Sequence, residues 1–162
     1  MTIIEKPKDW REAADIELML MDRNLRAFDR NNPVAQMAKF GADMRRLAND
    51  NTEEATQMLG HRMMAMGTLA ASHLDSLGLW SRKEMLDLLC RKQHDYGHGN
   101  ILGFGMIGVA VRMNDKIARL ENLTTLDTDA ANESLIDTWT DIVGYAVIAG
   151  MLLVNTFELE LP

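Results

Sequence analysis

No stretch of this 162-residue chain alternates polar and apolar residues for long enough to make a strand, whereas apolar residues recur at helical spacing almost from end to end. Trp10 to about Arg30 carries Ile16, Leu18, Met19, Leu20, Leu25 and Phe28 and stops at the turn signal Asn31-Asn32-Pro33. Val34 to Leu47 reads as a second, short helix with Met37, Phe40, Met44 and Leu47 on one side. Asn51 with Glu54 three residues on has the form of a capping box, opening a third helix to about Leu77. Ser81 with Glu84 repeats the box and opens a fourth, ending near Lys92. Four glycines follow, Gly97, Gly99, Gly103 and Gly105, which predict a loop with positive φ. Helical periodicity returns from about Met106 to Asn122, breaks over Thr124 to Asn132, and resumes from Glu133 to about Phe157. The expectation is an all-α, single-domain bundle of five to seven helices. Residues 1–92 supply N-terminal helices, and residues 93–157 a loop and helix pair.

Composition narrows the function classes. With 24 acidic and 17 basic side chains the net charge is −7, which argues against a nucleic-acid polymer as partner. Single nucleotides stay open, because their phosphates reach a carboxylate site through a divalent cation. One cysteine, Cys90, excludes an internal disulfide scaffold and a Cys-rich zinc site. Met1 to Trp10 lacks the apolar core of a signal peptide, so a cytoplasmic location is expected. The most apolar stretch, Ile142 to Val154, is shorter than the about 20 residues of a membrane span. It is apolar on every face, with Gly144, Ala146, Ala149 and Gly150 allowing close approach, and must be covered all round. A homo-oligomer, a dimer or tetramer, is therefore expected, with a central position inside one chain as the alternative that satisfies the same demand.

The chemistry-bearing residues cluster late. Beside the core stripe Met106, Val109, Met113, Ile117 and Leu120 runs a second stripe, Arg112, Asp115, Arg119 and Asn122, roughly 60° away around the helix. Glu133, Asp137 and Asp141 then fall at i, i+4 and i+8, three carboxylates on one face. Like charges at this spacing repel, and no basic residue occurs between Glu133 and Pro162. Arg112, Lys116 and Arg119 or a divalent metal are the candidate neutralisers, and a carboxylate row without His or Cys suits Mg²⁺ or Mn²⁺. The bland alternatives are an acidic first turn for Glu133 and structural ion pairs for Asp137 and Asp141. His61 and His73 read as ordinary helix residues, and Gly97 between His94 and His98 breaks a helical zinc pair. Gly103-Phe104-Gly105-Met106-Ile107-Gly108 has the letters of a dinucleotide fingerprint but follows no strand.

Several pieces of the second half, in order and spacing, resemble a known family. They are Asp95-Tyr96-Gly97, Gly108-Val109-Ala110-Val111-Arg112 with Asp115-Lys116, and Arg119-Leu120-Glu121-Asn122-Leu123. The last is Glu133-Ser134-Leu135-Ile136-Asp137-Thr138-Trp139-Thr140-Asp141 with Tyr145-Ala146. From Gln93 to about Gly150 the chain resembles nucleotide modification associated domain 1, found in phage and bacterial proteins and related to MazG-like all-α nucleoside triphosphate pyrophosphohydrolases. The resemblance implies an oligomerising, MazG-like helical bundle with a metal-supported nucleotide site. One departure stands out: the MazG-like Glu-Glu-x-x-Glu pattern meets Glu53-Glu54-Ala55-Thr56-Gln57 here, with glutamine in the last place.

The reading expected first is Mg²⁺-dependent hydrolysis of a nucleoside triphosphate, a dNTP or modified dNTP, to the monophosphate and pyrophosphate. Glu133, Asp137 and Asp141, with help from Asp115, hold metal; Arg112, Lys116 and Arg119 stabilise phosphate charge; Asp95, Tyr96, Gly97, His98, Asn100 and Asn122 contact base or sugar. Its competitors are a nucleotide-binding module without hydrolysis and a helical interaction protein with a structural polar core.

Overall fold

The computed structural model describes residues 5–126 and 134–162 of the chain. Among them are seven helices and no strand: α1 (Trp10–Arg23), α2 (Pro33–Ala48), α3 (Glu53–Ser76), α4 (Arg82–Tyr96), α5 (Gly99–Leu102), α6 (Gly105–Leu126) and α7 (Leu135–Leu153). The all-α, single-domain expectation holds.

The helix starts are chemical. Asp9, Ser81 and Ser134 each place a side-chain oxygen on the backbone N–H three residues on, at Glu12, Glu84 and Asp137. For α3 the cap is Thr52, whose Oγ1 accepts from the Ala55 N–H at 3.1 Å, and not Asn51, which is left-handed at φ 58°. α1 ends at Arg23 rather than near Arg30. Asn24 turns its N–H to the Met21 carbonyl and its amide to the Leu20 carbonyl, and so closes the last turn. Leu25 and Phe28 still pack on the core from the following segment.

The glycine-rich segment is more helical than its composition predicts. α4 continues to Tyr96, where Gly97 at φ 63° turns its N–H to the Gln93 carbonyl at 2.8 Å. One turn, α5, follows, and Gly105 at φ 59° opens α6. Only these two of the four glycines use the left-handed region; Gly99 and Gly103 sit in helical backbone. Asp95 and Tyr96 therefore lie in the last turn of a helix and not on a loop.

α7 is the central element. It packs most extensively on α3 and is also touched by α6, α1 and α4. Small residues make this possible: a methyl group on Gly67 of α3 would overlap Ala146 of α7, and one on Gly60 would meet Leu153 at 2.8 Å. Trp139, Ile142, Val143, Ala146, Val147, Ala149 and Met151 are all buried. The cover demanded by an all-round apolar helix is thus found within the chain. By length and composition α7 could cross a membrane, and in this fold more than half of its most apolar 18-residue window is buried.

Candidate functional site

The second turn of α7 carries Asp141, whose side chain is only 15% exposed. A carboxylate this far from water needs charge partners. Lys92, in the last turns of α4, reaches Oδ1 at 2.8 Å, and Lys116 of α6 reaches Oδ2 at 2.8 Å. Burial alone would raise the Asp141 pKa, but the hydrogen bonds from Lys116 and Lys92 overcome it and hold the carboxyl below its ordinary value.

Beside this pair of bridges lies a cleft of about 320 Å³, walled by α1, α4, α5, α6 and α7. Its polar lining includes Lys92, Gln93, Asn100, Arg112 and Asp141. Its apolar and aromatic lining includes Trp10, Leu89, Tyr96, Ile101, Tyr145 and Ile148. Such a volume is at the small end of ligand pockets, which run to roughly 300–1,000 Å³ and pair an apolar wall with a few polar groups. The half-buried Arg112 guanidinium donates to the Asn100 main-chain carbonyl at 3.2 Å and has no carboxylate partner among the described residues. Tyr145 is half-buried, and burial, with the nearby Asp141 charge, pushes its phenol pKa up, so the hydroxyl stays protonated.

α1 completes the cleft because ion pairs fasten it to α4. Arg82 grips Asp15 with two bonds of 2.7 and 2.8 Å, and Arg11 meets Asp87 at 2.7 Å. This clamp carries Trp10, the first residue of α1, to the cleft wall, where its ring meets Phe157 edge-on at 6.3 Å.

The sequence candidates separate. Arg112, Tyr96, Asn100 and Asp141 line the cleft, and Lys116 joins it through Asp141. Gly97 caps α4 next to Tyr96. His98 is turned aside: Nδ1 pairs with the Gln93 amide at 2.9 Å and the ring packs against Phe157. Asp95 is exposed and pairs with His94 outside the cleft. Asp115 and Asn122 are exposed and do not line the cleft. Arg119 fastens α6 to the start of α7, donating to Thr138 Oγ1 and to the Ser134 carbonyl at 3.3 Å.

Of the three carboxylates expected to hold metal, Glu133 lies outside the described residues. Asp137 is exposed in the first turn of α7, where its backbone N–H takes the Ser134 cap and its charge suits the helix dipole. Asp141 already has a lysine on each oxygen. Among the described residues no three His, Cys, Asp or Glu side chains are grouped to hold a metal ion, so those residues alone do not fit Mg²⁺ or Mn²⁺.

Lys92, Gln93, Trp10 and Ile148 belong to the site without having been singled out. Lys92 had a signal: a basic-free last helix needs cations from elsewhere, and the end of α4 could supply one as well as α6 could. Trp10 had none.

The cationic side of the cleft falls inside one recognisable segment. Residues 92–153 match the family model of nucleotide modification associated domain 1. That segment contains Lys92, Asn100, Arg112, Lys116, Asp141 and Tyr145, and it bears out the resemblance read from Gln93 to about Gly150. Trp10 lies outside it. No curated protein and no solved structure matches the chain.

Proposed function

We propose that the cleft between α4, α6 and α7 binds a nucleotide, with phosphate at Arg112 and Lys92 and the nucleoside along the aromatic wall. The observation that carries this reading is Arg112. It is a half-buried guanidinium beside a cavity with no acidic partner among the described residues, inside a segment whose family model is named for nucleotide modification. Guanidinium forks suit phosphate oxygens, and an arginine held by a main-chain carbonyl is positioned before the ligand arrives. Lys92 shares Asp141 with Lys116, so one carboxylate holds both ammonium groups beside the cleft.

This favours the binding module over the hydrolase among the expected readings. Mg²⁺- or Mn²⁺-dependent release of pyrophosphate from a dNTP needs a carboxylate cluster, and the described residues alone do not group one. A homo-oligomer and a cytoplasmic location belong to the same proposal. Calorimetric titration with nucleoside mono- and triphosphates, with and without Mg²⁺, tests it. Binding is expected, weakened at least about tenfold by Arg112→Gln, since a hydrogen bond to a charged group contributes about 1.5–3 kcal/mol. A parallel pyrophosphate assay separates binding from turnover. Absence of binding by every nucleotide would overturn the reading.

A further inference from the structure

Three buried side-chain polar atoms lack a hydrogen-bond partner among the described residues: Trp10 Nε1, Asn100 Oδ1 and Arg62 Nε. Two of the three belong to residues that line the same cleft. A buried polar group left unsatisfied is costly, and native proteins tolerate few of them. Trp10 is 1% exposed, so ordinary solvent does not serve it. A donor and an acceptor lacking partners on two residues that line one cavity fit an arrangement that a ligand completes, once it draws those side chains toward itself.

We infer that Trp10 and Asn100 are specificity-determining residues that recognise the edge of a nucleobase in this cleft. The inference rests on the nucleotide reading of the cleft and adds which part of the nucleotide is read and by which residues. Indole N–H can only donate, and the Asn100 Oδ1 can only accept. Their complement is a ligand that carries both an acceptor and an N–H donor, which nucleobases present and fully ionised phosphates do not. Arg112, which donates to the Asn100 carbonyl, ties this wall to the phosphate end, so the two recognition elements share one residue pair. The charged end thus recognises any phosphate, while the Trp10–Asn100 wall requires a base. It also assigns a role to the segment before residue 92: α1, held to α4 by Arg82–Asp15 and Arg11–Asp87, contributes one wall of a site whose other walls lie in the family segment.

The chain has three tryptophans, so its three indole N–H resonances can be followed in the ¹⁵N-labelled full-length protein, Trp10 being assigned by its absence in Trp10→Phe. The probes are a panel of deoxynucleoside mono- and triphosphates, base-free ribose 5-phosphate and inorganic tripolyphosphate. Nucleotides are expected to shift the Trp10 indole resonance, and the base-free probes to leave it in place. Asn100→Ala should lower nucleotide affinity about fivefold, the usual size of one neutral hydrogen bond, with tripolyphosphate affinity unchanged, whereas Arg112→Gln lowers both. A nucleotide that binds by calorimetry yet neither moves the Trp10 signal nor feels Asn100→Ala overturns this inference and leaves the nucleotide site standing. An equal shift with ribose 5-phosphate transfers the wall to the sugar and also overturns it. Failure of every nucleotide to bind removes both.

Discussion

Lys92 Nζ lies 2.8 Å from Asp141 Oδ1 and joins the end of α4 to the second turn of the central helix. With Lys116 on the other oxygen, the carboxylate is a countercharge between two ammonium groups. Asp141→Asn keeps the shape and removes that charge. Anion binding in the cleft is therefore expected to strengthen severalfold, while stability falls by about 1–2 kcal/mol because the lysines lose their partner in a half-buried setting. Calorimetry with a nucleotide and urea unfolding read the two effects. Loss of binding confined to Mg²⁺-containing buffer would instead make Asp141 a metal ligand.

Glu17 gives the fold a pH dependence of its own. It is 5% exposed, has no hydrogen bond or ion pair among the described residues, and occupies the space a side chain at Gly150 would need. Burial raises its pKa from 4.5 to about 7. The folded state therefore holds a proton that the unfolded state has released between those values, and stability falls as pH rises through that window. Glu17→Gln removes the dependence. The variant should gain on the parent by as much as about 3 kcal/mol at pH 8 and by little at pH 4, measured by urea unfolding at both.

The crossing of α3 over α7 depends on Gly67. Gly67→Ala would push a methyl group into Ala146 and to 2.7 Å from Met21 Cε. Overpacking of this kind costs about 1–3 kcal/mol, read as a lower urea midpoint with an unchanged slope.

Thr138 is fully buried, accepts from Arg119 and donates to the Ser134 carbonyl at 3.4 Å. Thr138→Val keeps the volume and removes the acceptor, so a loss of about 1–3 kcal/mol is expected with nucleotide affinity unchanged. A selective loss of affinity would return Arg119 to the ligand-binding residues.

Much of the helix inventory was legible because its causes are local. The Ser81 box needs only Glu84 three residues away, and of the stripe Met106, Val109, Met113, Ile117 and Leu120 all but the partly exposed Met106 are buried. The site was legible in part. Arg112, Asn100 and Tyr96 carry a sequence signal, and Asp141, on a helix without basic residues, needs a cation from elsewhere. Asp95, Asp115 and Asn122 share helical neighbourhoods with true lining residues, but neighbouring positions on a helix point to different sides.

Periodicity and capping thus determined, from the sequence alone, that the chain is helical nearly throughout and which stripes turn inward, though not every helix end, since these follow from contacts within a turn or two. The packing of α1 and α4 against α6 and α7 alone decided that Lys92 joins Lys116 at Asp141, that Asp137 four residues earlier stays in solvent, and that Trp10 walls the cleft. Those outcomes depend on residues far apart in the chain meeting across glycine-lined helix crossings, and no local pattern encodes where two such surfaces come together.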